Sequence, residues 1–165
     1  MMQWNSKSVL SLALGLSMVC GIAAADTDSA TSSPVVMVCK HGAVKRLLAV
    51  KLFDQEASAR GLELRAISRG LEPYEAVPGK IADALARDGF DVSDFDPSKL
   101  SKQEVAESLR VVSIGADLSE FRDEATSAIL QWDDVPPASV DYQASKAAIL
   151  AHVRALLDEL EDAPQ

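Results

Sequence analysis

The sequence predicts an α/β fold, a three-layer sandwich in which a four-stranded parallel sheet is flanked by helices on both faces. One observation is a continuous apolar run at residues 35–38, typical of a strand buried on both faces of a parallel sheet. Another is the alternation of such short strands with segments of helical periodicity, which places helices on both faces. The length of 165 residues suits one domain.

Each predicted element follows from a local pattern. Gly61 and Gly89 are natural stops for two amphipathic helices. An Asp at position 96 followed by Pro97 predicts a third helix start, and a long apolar stripe near the C-terminus predicts the last helix. The predicted strands are 35–38, 62–68, 109–114 and 128–132, and the predicted helices are 46–60, 77–88, 96–106 and 142–161.

The N-terminal segment, residues 1–25, has the pattern of a secretory signal peptide. Lys7 precedes an uncharged apolar run at 9–24, and three alanines then stand before Asp26. Retention of the run as a membrane anchor is the alternative, although the run is short for a span. We therefore expect export to the periplasm or the medium, with a flexible linker at 26–33, a domain at 34–162 and no membrane association of the mature form.

Composition and charge exclude several classes of function. Sixteen Lys and Arg against 25 Asp and Glu give a net charge of -9, which argues against a broad basic face for nucleic acid. Two His and two Cys without paired-cysteine spacing predict no metal site, and we expect no cofactor. Removal of the signal peptide also removes Cys20, so the mature chain would keep Cys39 as its one thiol.

Cys39 is the strongest candidate for a reactive group. It ends the first predicted strand, directly before a Gly-containing turn that opens a helix. Amides at a helix start bind anions, and the same positive field lowers the pKa of a thiol. The alternative is that Cys39 is simply a small core residue, because a single cysteine after an apolar strand usually packs in the interior.

Basic residues surround this cysteine in an otherwise acidic chain. With Cys39 as nucleophile and Lys45 as cation, the turn would supply what phosphoryl chemistry requires. Cations are not favoured at a helix N-terminus, so a bound anion would explain them, although solvated first-turn residues remain the alternative. The predicted oxyanion-binding residues are Lys40, His41, Gly42, Ala43, Val44, Lys45 and Arg46.

Residues 35–53 (VVMVCKHGAVKRLLAVKLF) resemble the phosphate loop of the low-molecular-weight protein tyrosine phosphatase superfamily, which includes thioredoxin-coupled arsenate reductases. The pattern of that superfamily is a buried strand, C-x5-R-S and a helix. Residues 66–70 resemble its second strand and S-A-G turn, residues 88–93 its H-G-I-D-L-S stretch, and residues 111–115 its third strand. The resemblance covers residues 35–160 and implies the fold of this family and a cysteine-dependent phosphatase activity.

The sequence departs from the family pattern at three functional positions. The loop Arg is Lys45 here, which grips an oxyanion without a planar fork, and the following Ser is Arg46. The family's general acid belongs to an Asp-Pro pair, and Pro136 stands where that Asp would fall. Asp133 or Asp134 would replace it if the loop is shifted, and otherwise both are solvated loop residues.

Four functions follow from these residues. The first is a phosphatase acting on a phosphate monoester, with phosphate, a related oxyanion or a phosphorylated protein as partner. The second is a non-catalytic domain that binds oxyanions or phosphoproteins. An arsenate reductase would need an external thiol, because Ala116 occupies the position of the family's resolving cysteine. In the last, Cys39 pairs between chains in an oxidising compartment. The sequence predicts no particular oligomeric state.

Overall fold

A computed structural model of the protein describes residues 33–40, 43–77, 79–93, 95 and 97–163. Within these ranges the chain forms one parallel sheet of four strands in the order β2-β1-β3-β4. The strands are β1 (Val35–Cys39), β2 (Ala66–Gly70), β3 (Arg110–Ser113) and β4 (Leu130–Gln131), and the helices are α1 (Ala43–Ala59), α2 (Gly79–Arg87), α3 (Lys102–Glu107) and α4 (Tyr142–Asp162). The predicted fold class is confirmed.

The central strand β1 shows why helices cover both faces of the sheet. Its odd-numbered residues join a large apolar cluster with side chains of α1 and α4. Its even-numbered residues join a second cluster with Val105 of α3 and Phe121, which belongs to a 3₁₀ turn (Ser119–Phe121) that the sequence did not predict. Every residue of β1 is buried, as expected for an apolar strand in the middle of a parallel sheet.

The start of β2 differs from the prediction because strand pairing, and not apolarity, determines it. The register pairs Ala66 with Val35, the first residue of β1, so residues 62–65 lie beyond the end of their neighbour. The backbone N–H of Ala66 also donates a hydrogen bond to Asp54 Oδ1 of α1 at 3.1 Å. The strand therefore begins at Ala66 and continues to Gly70.

The prediction of a helix start at residue 96 was wrong, because α3 begins at Lys102. Leu100 donates its backbone N–H to the carbonyl oxygen of Gly70 at 3.0 Å, which keeps the preceding segment extended beside β2. Ser101 is the N-cap of α3, and its hydroxyl and the Glu104 carboxylate form a reciprocal capping box. The last helix was predicted within one residue at its end, since it runs from Tyr142 to Asp162.

Two expectations about the N-terminal region concern residues outside this description. The predicted signal peptide, and the linker except for Ser33, are not among the described residues. Within the described helices, none combines the length and apolarity needed to cross a bilayer.

Candidate active site

Cys39 lies at the floor of a cavity of about 720 Å³ at the carboxyl ends of β1 and β3. Only 3% of this residue is exposed. The backbone beyond it is held to the segment after β2, because Glu72 donates its N–H to the carbonyl oxygen of Lys40 at 2.9 Å. The lining residues are Cys39, Lys40, Val44, Lys45, Tyr74, Lys80, Ile81, Ile114, Gly115, Pro137, Ala138 and Ser139.

The charged side chains among these lining residues are all lysines. Lys40 follows β1, Lys45 belongs to the first turns of α1, and Lys80 belongs to the start of α2. Gly115 has φ +66°, and a Cβ there would lie 3.2 Å from Lys45 Nζ. A side chain at this position would therefore be strained and would crowd the lysine. This glycine leaves space for the ammonium group of Lys45 in the cavity that Cys39 lines.

Arg46, the next residue of α1, lies away from the cavity surface. It is fully buried, and it is not among the residues that line the cavity. Its guanidinium carbon is 5.3 Å from the centre of the Phe95 ring, within the range of a cation–π contact. Nη1 is 3.0 Å from the position that a Cβ of Gly70 would occupy. The structure thus places Arg46 in the interior and not among the residues that line the cavity.

The rest of the predicted turn is described in part. His41 and Gly42 lie outside the described residues. Ala43 is the first residue of α1, and Val44 lines the cavity. Of the predicted oxyanion-binding residues, the structure brings Lys40, Val44 and Lys45 to the cavity that Cys39 lines.

The two candidate proton donors are not brought to this cavity. Asp134 Oδ1 lies 2.7 Å from His152 Nε2 of α4, and this hydrogen bond holds the pKa of Asp134 below its ordinary value. The His152 ring stacks on Trp132, with the ring centres 4.9 Å apart. Asp133 lines an adjoining depression, which shares Gly115 with the cavity of Cys39. Neither carboxylate lines the cavity of Cys39.

The loop that carries these carboxylates is fixed at both ends. Trp132 donates its backbone N–H to the carbonyl oxygen of Ser113 at 2.8 Å. The buried hydroxyl of Ser145, on α4, donates to the carbonyl oxygen of Pro136 at 2.5 Å. Directly after the second anchor the chain presents Pro137, and then Ala138 and Ser139, to the cavity. The wall on this side is therefore apolar with one hydroxyl.

Comparisons with known proteins agree with this architecture. No family model matches the sequence, and no curated protein matches it significantly. Among solved structures, a protein tyrosine phosphatase from Entamoeba histolytica superposes with a TM-score of 0.67 at 14% identity, over 81% of this chain and 99% of its own. A low-molecular-weight phosphotyrosine phosphatase from Vibrio cholerae gives a TM-score of 0.61 at 15% identity, over 79% and 98%. The chain has the fold of the low-molecular-weight protein tyrosine phosphatases.

Arsenate reductases are also among the solved structures that share this fold. A thioredoxin-dependent arsenate reductase from Corynebacterium glutamicum superposes with a TM-score of 0.64 at 22% identity, over 80% of this chain and 64% of its own. The resemblance predicted from the Cys39 loop is thus confirmed at the level of the fold.

Sequence reasoning missed part of the cavity wall. Tyr74, Lys80 and Gly115 were not singled out, although all three line the cavity. Gly115 comes two residues after β3, and Tyr74 and Lys80 lie between β2 and the first turn of α2. Because the carboxyl ends of parallel strands share one edge of the sheet, residues just after each strand were the signal that would have identified them.

Proposed function

We propose that this protein is an exported, cysteine-dependent phosphatase that hydrolyses a phosphate monoester through the thiolate of Cys39. The observation that carries the proposal is the cavity itself, which Cys39 lines together with three lysines, Lys40, Lys45 and Lys80. An anion with a tetrahedral centre fits such a site, because cations and helix-start amides oppose its charge. Export is proposed from the pattern of residues 1–25.

The proposed reaction proceeds in two displacements. In the first, the Cys39 sulfur attacks phosphorus, an S–P bond forms, and the P–O bond to the leaving group breaks with its electron pair on oxygen. That oxygen takes a proton from water or from a carboxyl group. In the second, water attacks phosphorus, the S–P bond breaks, the thiolate is restored, and the proton of the water is released with inorganic phosphate. Lys45 offsets the charge of the phosphoryl oxygens in both steps.

The nature of the neighbouring structures supports an oxyanion as ligand. They include phosphatases and an arsenate reductase described in its phosphate-binding state. We propose phosphate or a related oxyanion as the ligand, with a phosphorylated protein as the physiological partner. The cavity has an opening beside the half-exposed ring of Tyr74, an apolar surface against which the organic part of a substrate can pack.

A non-catalytic oxyanion-binding domain is the second candidate, and one observation favours it. Asp134 is hydrogen-bonded to His152, and Asp133 lines a different depression. A phosphatase without a placed acid loses about 10²–10⁴-fold in rate on substrates with poor leaving groups. Such a protein would bind oxyanions and turn them over slowly or not at all.

Turnover of p-nitrophenyl phosphate by the purified protein tests the first candidate. We expect hydrolysis that Cys39→Ser abolishes and that the matched Cys20→Ser change leaves intact. Hydrolysis that survives in Cys39→Ser would contradict the proposal. Calorimetric titration with inorganic phosphate separates the candidates: binding without turnover supports the second, and the absence of both binding and turnover removes both.

A further inference from the structure

Arg46 of α1 has no role in the reaction proposed above. Arg46 is fully buried, although it carries a charge at every ordinary pH. Burial of a guanidinium is costly unless its surroundings compensate for the lost water. The face of the Phe95 ring and the missing side chain of Gly70 make space for it at this point in the fold.

The register of the sheet places this cation close to the thiol. Gly70 is the register partner of Cys39 in the parallel pair β1–β2. Register partners in a parallel sheet direct their Cβ atoms to the same face, about 5 Å apart. Nη1 of Arg46 is 3.0 Å from the Cβ position of Gly70. The guanidinium therefore lies on the same face as the Cys39 side chain, with Nη1 no more than about 8 Å from its Cβ.

We propose that Arg46 is a positioning residue for Cys39, and that its guanidinium stabilises the thiolate from inside the fold. Lys45 then contacts the oxyanion from the cavity while its neighbour Arg46 acts from behind the wall. The inference deepens the proposed function, because it rests on Cys39 acting as a thiolate. A cation at this distance in a protein interior lowers the pKa of a thiol by about one unit.

Other charges also face the thiol, so the test must isolate Arg46. Lys40, Lys45 and Lys80 line the cavity above Cys39, and the start of α1 adds its dipole. A substitution that alters only the charge at position 46 separates this contribution from theirs. Arg46→Gln removes the charge and keeps a polar side chain, whereas Arg46→Lys keeps the charge and loses the planar fork.

The experiment measures the pKa of Cys39 from the ultraviolet absorbance of the thiolate, in a Cys20→Ser background in which Cys39 is the one thiol. We expect the pKa to rise by about one unit in Arg46→Gln and to stay close to the parent value in Arg46→Lys. A role in packing alone would disturb both variants alike. An unchanged pKa in folded Arg46→Gln would overturn the proposal.

The control variant is Arg154→Gln, which changes the net charge equally at a distant surface. Arg154 pairs with Glu56 of α1 at 3.0 Å, thirteen residues along the helix from its first residue and thus about 20 Å from it. We expect no shift in the pKa of Cys39 there. If Arg46→Gln does not fold by circular dichroism, Arg46→Met replaces it, because an unbranched apolar side chain removes the charge without burying an unpaired polar group. A folded Arg46→Met variant with the parent pKa would equally overturn the proposal.

The thiolate titration does not depend on turnover, so the two proposals can fail separately. A raised pKa in Arg46→Gln together with an inactive parent would reject the phosphatase and keep the role of Arg46. An active parent with an unshifted pKa in Arg46→Gln would do the reverse.

Discussion

The part of the cavity around Cys39 and the loop at its side, residues 132–141, supply different chemical groups. At the floor, β1 delivers Cys39 to the start of α1, and lysines from two helices surround it. In the loop, neither Asp133 nor Asp134 lines the cavity, and Asp134 is hydrogen-bonded to His152. One region has the parts for binding and attack, and the other lacks a proton donor directed at the reacting centre.

This contrast shows that anion binding and nucleophilic attack depend mainly on the fold, whereas proton donation depends on one side chain. A strand that ends at a helix start brings together a side chain and a set of backbone amides whatever the surrounding sequence. A general acid, in contrast, depends on one side chain of a loop pointing in the right direction. The hydrogen bonds from Trp132 and Ser145 fix this loop with Pro137 toward the cavity. Binding and attack are therefore more robust to sequence change than proton donation.

The largest effect is expected from Lys45, because its ammonium group lies beside Gly115 in the cavity that Cys39 lines. Lys45→Met should lower kcat/KM for p-nitrophenyl phosphate about 100-fold, as expected for the loss of a charge-assisted contact to the phosphoryl group. Lys45→Arg should keep or increase the activity, since its planar fork binds two oxygens at once.

Lys80→Met is the matched control for this substitution. Lys80 lines the same cavity from α2, so we expect a smaller loss from it. Equal losses in Lys45→Met and Lys80→Met would show that the cavity acts only as a diffuse positive field.

The rate of hydrolysis should depend strongly on the leaving group of the substrate. Alkyl phosphates should be hydrolysed at least about 10²-fold more slowly than p-nitrophenyl phosphate, because neither Asp133 nor Asp134 lines the cavity to protonate their poor leaving oxygen. Asp133→Asn and Asp134→Asn should each change the rate on either substrate by less than about tenfold, against the 10²–10⁴-fold of a working acid. A loss of about 10²-fold or more in one variant, confined to alkyl phosphates, would identify that residue as the acid after a movement of the loop.

The fold could be predicted because the sequence carries its signals locally. The apolar run of β1 and the glycines after α1 and α2 are visible in any short window. The starts of β2 and α3 were missed because they depend on pairing at a distance. Val35 sets the first paired residue of β2, and Gly70 holds the chain extended before α3.

The site could be predicted only where it lies within one segment of the chain. Cys39, Lys40 and Lys45 lie in one short segment of the chain, so their spacing in the sequence predicted that they belong to one site. The opposite directions of Lys45 and Arg46 depend on Gly115 and Gly70, which follow β3 and end β2. The pattern of residues 40–46 alone therefore does not predict where the side chains of Lys45 and Arg46 point.

The smallest effect is expected at the hydrogen bond that occupies Asp134. His152 lowers the pKa of Asp134, and His152→Ala should raise it toward the ordinary value, as followed by NMR titration of the carboxyl carbon. Asp117 is the internal control, because its pKa is also lowered, but by the backbone N–H of Ser119. A shift of both carboxyls in His152→Ala would indicate a general change of the loop.

The pH dependence of stability follows from the same bond. Because the pKa of Asp134 is lower in the folded than in the unfolded chain, its contribution is complete above the unfolded value of about 3.9 and is lost as the pH falls through the folded value. The side chain of Asp134 is 70% exposed, so the contribution is small. Urea denaturation should therefore show a larger loss of stability in His152→Ala at neutral pH than in acid, where only the loss of the stacking on Trp132 remains. A loss of the same size at both pH values would mean that His152 stabilises the protein through that stacking and not through Asp134.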